Sequence, residues 1–178
     1  MAETKLISNE LQLVVFDLAS EYYGVDISDV REIIRMQSIT RVPGTPEYLE
    51  GVLNLRGKIA PVVDLRKRLN LRVSGQTQES RIVVIDIDSR DVGVIVDGVT
   101  EVLRIPLSSV EPPAQMLQSA DSIYLKGIAK IQDKLVILLD MSSILSEFEN
   151  ISMDDIREEI AGSTKKKNKC PKNKYITV

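Results

Sequence analysis

The apolar positions of the chain fall in short runs separated by turn residues, and the pattern of runs occurs twice. Val52 to Leu55 and Ile59 to Val63 are apolar stretches broken by Arg56-Gly57-Lys58. That is what a β-hairpin needs: β-branched and aliphatic side chains to pair across, and a glycine to relieve the turn. Asp64 stops the second strand and has the side chain to cap a short helix from Asp64 to Leu69, with Leu65 and Leu69 on one face at i and i+4. A shift of 76 positions lays Gly51 on Gly127, Asp64 on Asp140 and Leu69 on Leu145, with the same strand, turn, strand, helix pattern between them.

Upstream, Leu11 to Leu18 predicts a strand with apolar residues on both faces: Leu11, Leu13 and Val15 on one, Val14, Phe16 and Leu18 on the other. Such a strand is expected to be covered on both sides. Ala19 to Glu21 predicts a turn and Tyr22 to Ile27 the return strand. Asp29 and Glu32 then show capping-box spacing, and Val30, Ile33 and Ile34 recur at i, i+3 and i+4, which predicts a short amphipathic helix. A shift of 69 positions places Val14, Val15, Asp17, Ser20, Gly24, Val25, Val30, Glu32 and Arg35 on identical residues, from Val83 to Arg104. The chain is an internal duplication, and the difference between the two shifts falls in the loops at 37–48 and 106–123. Pro106, Pro112 and Pro113 exclude a regular helix or central strand from the second loop.

Each copy holds four to five short strands with regular turn signals, the pattern of a small barrel or sandwich. The fold class expected is all-β with a few short helices. An all-β unit of this size without disulfide or metal is marginal alone, so the copies are expected to pack on each other over shared aliphatic surface. The organisation predicted is a polar lead at 1–10, a first β-barrel at 11–78, a second at 79–150, a further helix at 151–161, and a lysine-rich disordered tail at 162–178.

Composition narrows the chemistry. The 178 residues include no histidine, which removes Ser-His-Asp and Cys-His catalysis and imidazole metal sites. The single Cys170 cannot form a disulfide within the chain and points to a reducing compartment. No apolar run is long enough to span a membrane and Met1 to Glu10 has no secretory h-region, so a cytoplasmic protein is expected, with no direct membrane insertion. The net charge is −3, but Lys165, Lys166, Lys167, Lys169, Lys172 and Lys174 all follow the last acidic residue, Glu159. The body is therefore more acidic than the whole, which argues against nucleic acid as a partner.

The remaining catalytic motifs have poor settings. Gly51 to Lys58 has the wrong glycine spacing for a phosphate loop, with Ile59 where a Ser or Thr would bind magnesium. Asp86, Asp88, Asp91 and Asp97 alternate as a hairpin does, and Asp91 stands where a calcium loop needs glycine. Asp97-Gly98 suggests half of a two-lobed aspartic-type hydrolase, but the first copy has Ser28-Asp29 there. A turn is the favoured reading, and no cofactor is expected.

Taken together, Tyr23 to Ile27 with Val30 to Ile33, Arg41-Val42-Pro43-Gly44-Thr45-Pro46, Gly51 to Ile59 with Pro61 to Leu65, and Val92 to Val99 resemble the CheW family of chemotaxis coupling proteins, over roughly residues 11 to 150. The resemblance implies two SH3-like five-stranded β-barrels. It also implies a non-enzymatic adaptor, linking the cytoplasmic tips of methyl-accepting chemoreceptors to the regulatory domain of a CheA-type histidine kinase in membrane-associated arrays. An adaptor of the same kind in a non-flagellar chemosensory pathway is the alternative. The sequence contains no kinase core and no phosphoacceptor histidine, so the stand-alone coupler is expected.

Arg56, at the hairpin tip, is a long cation that cannot belong to the core and can reach an acidic partner; the alternative is a solvated turn residue. Its second-copy counterpart is Gln132. The resemblance places Arg56 with Gly57 on the receptor-facing side, and Val30, Glu32, Gly93 and Val99 near receptor or kinase contacts. For Val30, Ile33 and Ile34 the alternative is core packing. A cleft between the barrels is expected to take a receptor helix.

Deleting the tail from Gly162 to Val178, which has six lysines and almost no apolar periodicity, is expected to leave the melting temperature within about two degrees. A larger drop in a thermal melt means that the tail docks on the body.

Overall fold

The computed structural model describes residues 9–72, 75–112 and 124–146. The expected helix at 151–161, the tail, and most of the polar lead and of the second long loop lie outside the described residues. The first copy forms β1 (Glu10–Leu18), β2 (Glu21–Asp26), β3 (Val30–Arg35), β4 (Leu49–Leu55), β5 (Lys58–Asp64) and α1 (Leu65–Arg68). The second forms β6 (Arg81–Ile87), β7 (Arg90–Val96), β8 (Gly98–Pro106), β9 (Val110–Glu111), β10 (Leu125–Ile131), β11 (Lys134–Leu139) and α2 (Met141–Ile144).

The strands pair across the copies. One sheet runs β8-β1-β2-β11-β10-β9 and the other β3-β6-β7-β5-β4. Each copy therefore gives its N-terminal hairpin to the other. The β1–β2 hairpin is paired with β8 and β11, and the β6–β7 hairpin with β3 and β5. The two parallel joins are equivalent under the duplication, Val62 opposite Gly93 and Leu138 opposite Gly24. This corrects the expected division at 78/79, since each sheet draws strands from both sides of that boundary. β1 and β6 are apolar on both faces, and the exchange buries one face in a barrel interior and the other in the cluster between the barrels.

Both sheets bend until their edges meet. β8 continues through a 3-10 turn at Leu107–Ser109 into β9, on the far edge of its own sheet. In the other sheet Thr40 bridges Val52 of β4 in the same way. The closure is possible because the crossing strand has glycine there: a Cβ on Gly51, whose φ is +148°, would lie 2.1 Å from the Thr40 carbonyl oxygen, and one on Gly127 would lie 2.7 Å from that of Glu111. The result is two five-stranded barrels, each with one short closing segment.

The cores follow from strand alternation. Leu13 and Val15 point into one barrel with Ile105, Ala129, Val136 and Leu138. Ile82 and Val84 point into the other with Leu53, Ala60, Val62 and Ile95. The opposite faces, Val14, Phe16 and Leu18 with Val83, Ile85 and Ile87, meet between the barrels in a larger shared cluster that takes in Val63, Leu65, Leu139, Met141, Ile144 and Leu145. The aliphatic faces expected to wall a cleft thus pack on each other.

Asp64 and Asp140 cap the two short helices by accepting from the N–H groups of Arg66 and Ser143. Burial raises the Asp64 carboxyl above its ordinary value, and the Arg66 N–H that it accepts opposes the rise. The helices meet where the copies meet. Arg68 donates from Nε to the carbonyl oxygen of Ile144, its own counterpart under the duplication, at 3.0 Å. Its guanidinium lies between the rings of Tyr48 and Tyr124, 5.1 and 4.8 Å from their centroids, and donates to the Tyr124 hydroxyl.

One predicted element is different. Val30 to Arg35 is a strand rather than a helix, since Ile27–Asp29 forms a 3-10 turn capped by the Asp26 side chain and the chain leaves it extended. Val30, Glu32 and Ile34 are half-buried and Arg31, Ile33 and Arg35 exposed, a period of two. Pairing with β6 and the β-branched residues outweigh an apolar coincidence of three residues over five positions. Ile33, read as a core candidate, is on the surface.

Cutting the chain between Ser74 and Gly75 tests the exchange. Neither fragment can complete a barrel, so neither is expected to melt cooperatively alone, whereas the two co-expressed are expected to give one cooperative transition by circular dichroism. Independent folding of either fragment contradicts the pairing.

Candidate partner-binding surface

The hairpin tip is built for rigidity. Arg56 and Gly57 occupy a two-residue turn with φ of +52° and +84°, the left-handed pair that suits the right-handed twist of the strands. The Asn54 side chain accepts the Gly57 N–H at 2.8 Å and locks the turn from the side. Glycine relieves the backbone at the second position; Arg56 holds the strained first position with a side chain that is 84% exposed.

The guanidinium of Arg56 reaches Glu32 Oε2 on β3 at 3.0 Å. Arg56, Gly57 and Glu32 are thus brought together on one barrel, and the acidic group that Arg56 finds first is within the chain. An exposed pair of this kind contributes about 0.2–1 kcal/mol, so it orients the side chain more than it stabilises the fold. Next to Glu32, Arg31 pairs with Asp86 at 2.5 Å and with Asp91 at 2.7 Å, so the outward face of β3 presents a cation, the exposed Ile33 and Arg35 in alternation.

Val30 and Val99 are brought to equivalent places, half-buried against the shared cluster and paired with Ile85 and Phe16. They lie at the seam of the barrels and apart from the hairpin tip in the pairing scheme. Gly93 is buried: a Cβ there would lie 2.9 Å from Ile82 Cγ2 and 3.4 Å from Val62 Cγ2. It lets strands pack and presents no side chain to a partner. Asp97, the half-dyad candidate, is paired with the buried Arg66 and accepts the Ala19 N–H at 2.9 Å, tying the end of β7 to the turn after β1.

Sequence reasoning passed over Arg31 and Arg68. Nothing in a single sequence marks Arg68 as the residue between two tyrosines, although Tyr48 and Tyr124 are themselves related by the 76-position shift. For Arg31 the signal was present in the strand alternation that the helical reading displaced. This surface offers oriented charge and a small aliphatic patch on one barrel.

Comparison with known proteins agrees with this geometry. The chemotaxis protein CheW of Bacillus subtilis is 35% identical over 136 residues, covering 76% of this chain and 87% of that one. The CheW of Klebsiella aerogenes is 32% identical over 145 residues, 82% of this chain and 87% of that one. Among solved structures, the scaffolding protein TtCheW from Thermoanaerobacter tengcongensis is similar at 45% identity with a TM-score of 0.69, covering 73% of this chain and 88% of that one. The family model for the CheW-like domain matches residues 12–149, which takes in both copies and the whole strand exchange, and the chain belongs to the CheW-like family.

Proposed function

We propose that this protein is a non-enzymatic coupling scaffold of bacterial chemotaxis, joining the cytoplasmic tips of methyl-accepting chemoreceptors to the regulatory domain of a CheA-type histidine kinase at membrane-associated arrays. The observation that carries the reading is the oriented, 84% exposed Arg56 on a locked hairpin, backed by Glu32, on a body whose two barrels share one core. A coupler needs two surfaces held at fixed separation, and such a body provides them. On this reading Arg56, Gly57 and Glu32 meet the receptor, Val30 and Val99 lie at the barrel seam beside a contact, and Gly93 acts beneath the surface. The family's relatives named as chemotaxis proteins and as a scaffold support the same reading. Among the described residues no helix is long and apolar enough to cross a membrane, so attachment to an array would come through partners.

Arg56→Glu tests the receptor face. It removes one exposed pair and sets a carboxylate near Glu32, so the stability change is expected to stay near about 1 kcal/mol. At an interface the same reversal costs several kcal/mol, and about 4 kcal/mol corresponds to about a thousandfold in affinity. Pull-downs with a receptor cytoplasmic fragment and with the kinase regulatory domain, beside a thermal melt, are expected to show lost receptor binding and a nearly unchanged melt. Loss of kinase binding alone moves Arg56 to the other surface, and wild-type protein that binds neither partner overturns the coupling reading.

Gly93→Ala is expected to do the reverse. The added methyl group meets Ile82 at 2.9 Å, and overpacking of this kind costs about 1–3 kcal/mol. Partner affinity measured well below the melting temperature should change little. A large loss of affinity with an unchanged melt places Gly93 in a contact.

A further inference from the structure

Each half of the chain is incomplete without the other, and nothing in the strand exchange fixes which molecule supplies the other half. The first half, β1 to α1, and the second, β6 to α2, meet through the β1–β8, β2–β11, β3–β6 and β5–β7 pairings. Polar links follow the same division: Arg31 to Asp86 and Asp91, Arg66 to Asp97, and Arg68 to Ile144 and Tyr124 each join one half to the other. One connection makes the arrangement intramolecular. Leu71 is fixed to the first half by its N–H, which donates to the Arg66 carbonyl oxygen at 2.8 Å. Thr77 is fixed at the entry to β6, where its N–H donates to Ser80 Oγ at 2.9 Å and its carbonyl accepts the Ser80 N–H. Five residues, 72–76, lie between these anchors, and 75–79 are exposed and outside every strand.

We propose that the protein has a second folded form, a two-fold dimer in which the first half of each molecule completes both barrels with the second half of the other. Every pairing and ion pair between the halves is kept in this form, so the connection alone decides between dimer and monomer. A short flexible linker holds its two ends at an effective concentration on the order of millimolar, and the advantage vanishes where the linker cannot span them. Dilute folding therefore gives the monomer, and folding at concentrations near that value gives the exchanged dimer. The connection at 72–76 is also where the chain opens at least cost. Release of the β1–β2 hairpin alone would break the Ile27–Asp29 turn and its cap, in which Asp26 accepts from the Ser28 N–H at 2.9 Å. Because each molecule gives and receives one half, the assembly closes at two and does not propagate. Arg56, Gly57 and Glu32 all belong to the first half, so each body of the dimer carries one intact hairpin tip. The exchanged form is thus a bivalent version of the same surface.

The experiment is refolding of the purified full chain from denaturant at about 1 mM and at about a hundredfold lower concentration, each sample then being sized by gel filtration at the same final dilution. The dimer fraction of wild type is expected to rise with the refolding concentration and to persist after dilution, since return to the monomer requires unfolding. Deleting Val73 to Gln76 cuts the reach between Leu71 and Thr77 from about 20 Å to about 7 Å, and is expected to make the dimer the main species at both concentrations. Complementation gives a test that does not depend on that variant folding. Val15→Asp places a carboxylate in one barrel interior from the first half, and Val84→Asp places one in the other from the second half. Neither variant is expected to melt cooperatively alone. Refolded together at about 1 mM, they are expected to give a cooperative transition, because one body of the mixed dimer takes both unaltered halves. Wild type that is monomeric after refolding at either concentration, a dimer that dissociates on dilution without unfolding, a shortened chain that folds as a monomer, or a mixture without a cooperative transition overturns the proposal. None of these outcomes bears on receptor or kinase binding, so the coupling reading is judged separately.

Discussion

Each barrel is closed by a hairpin that the other copy supplies, and most of the structure can be derived from that exchange. A hairpin inserted between strands of a foreign copy is covered on one face by the barrel that it enters and on the other by the barrel that it left. Both faces of β1 and β6 must then be apolar. Leu13 and Val15 on one side of β1 and Val14, Phe16 and Leu18 on the other are the sequence form of this requirement. Gly24 and Gly93 satisfy a second requirement: a Cβ on Gly24 would lie 3.1 Å from Val136 of β11, and one on Gly93 would lie 2.9 Å from Ile82 of β6 and 3.4 Å from Val62 of β5, closer than side chains ordinarily pack.

The shared cluster between the barrels is larger than either barrel interior, which reverses the usual relation between a domain core and a domain interface. Separating the barrels would expose the residues of this cluster, at about 25 cal/mol per Å² of apolar surface. The two barrels therefore belong to one rigid body. The Arg56 tip is continuous through β5 with α1, whose Arg68 bonds Ile144 and Tyr124 in the other copy. For a coupling protein this matters more than the strength of any single contact, because a relative shift of packed bodies passes through stiff parts without being absorbed.

The hairpins, both helix caps and the duplication were legible because each rests on local rules: alternation over five or more residues, a glycine at a tight turn, an aspartate before a helix. The strand β3 was misread because Val30, Ile33 and Ile34 satisfy a helical spacing by chance. An apolar pattern of three residues over five positions cannot decide between periods of 3.6 and 2 when the deciding partner, β6, lies about fifty residues away in sequence. The strand exchange was out of reach for a related reason. A duplicated sequence fits side-by-side copies and exchanged copies equally well, and the choice is made by long-range pairing alone. At the site, Arg56 could be placed on its turn from the sequence, but its partner Glu32 could not, since that contact depends on β3 being a strand.

The duplication is close in its apolar positions and loose in its charges. Arg56, Arg66, Lys67 and Arg68 of the first copy correspond to Gln132, Ser142, Ser143 and Ile144 of the second. Two of these cations are tied to the second copy: Arg66 to Asp97, and Arg68 to Ile144 and Tyr124. Lys67 is held within the first copy by Glu50 at 2.6 Å, which raises its pKa. Arg68 lies against its own counterpart, Ile144, where an identical cation in each copy would face its image and be repelled by it. Loss of charge from one copy relieves that repulsion, and so the asymmetry there follows from the packing. Arg56 is far from this constraint in the strand scheme, on a turn whose counterpart Gln132 adopts the same backbone. Packing does not require an arginine at one tip and a glutamine at the other, so the proposed receptor role of Arg56 competes with no demand of the fold beyond its pair with Glu32.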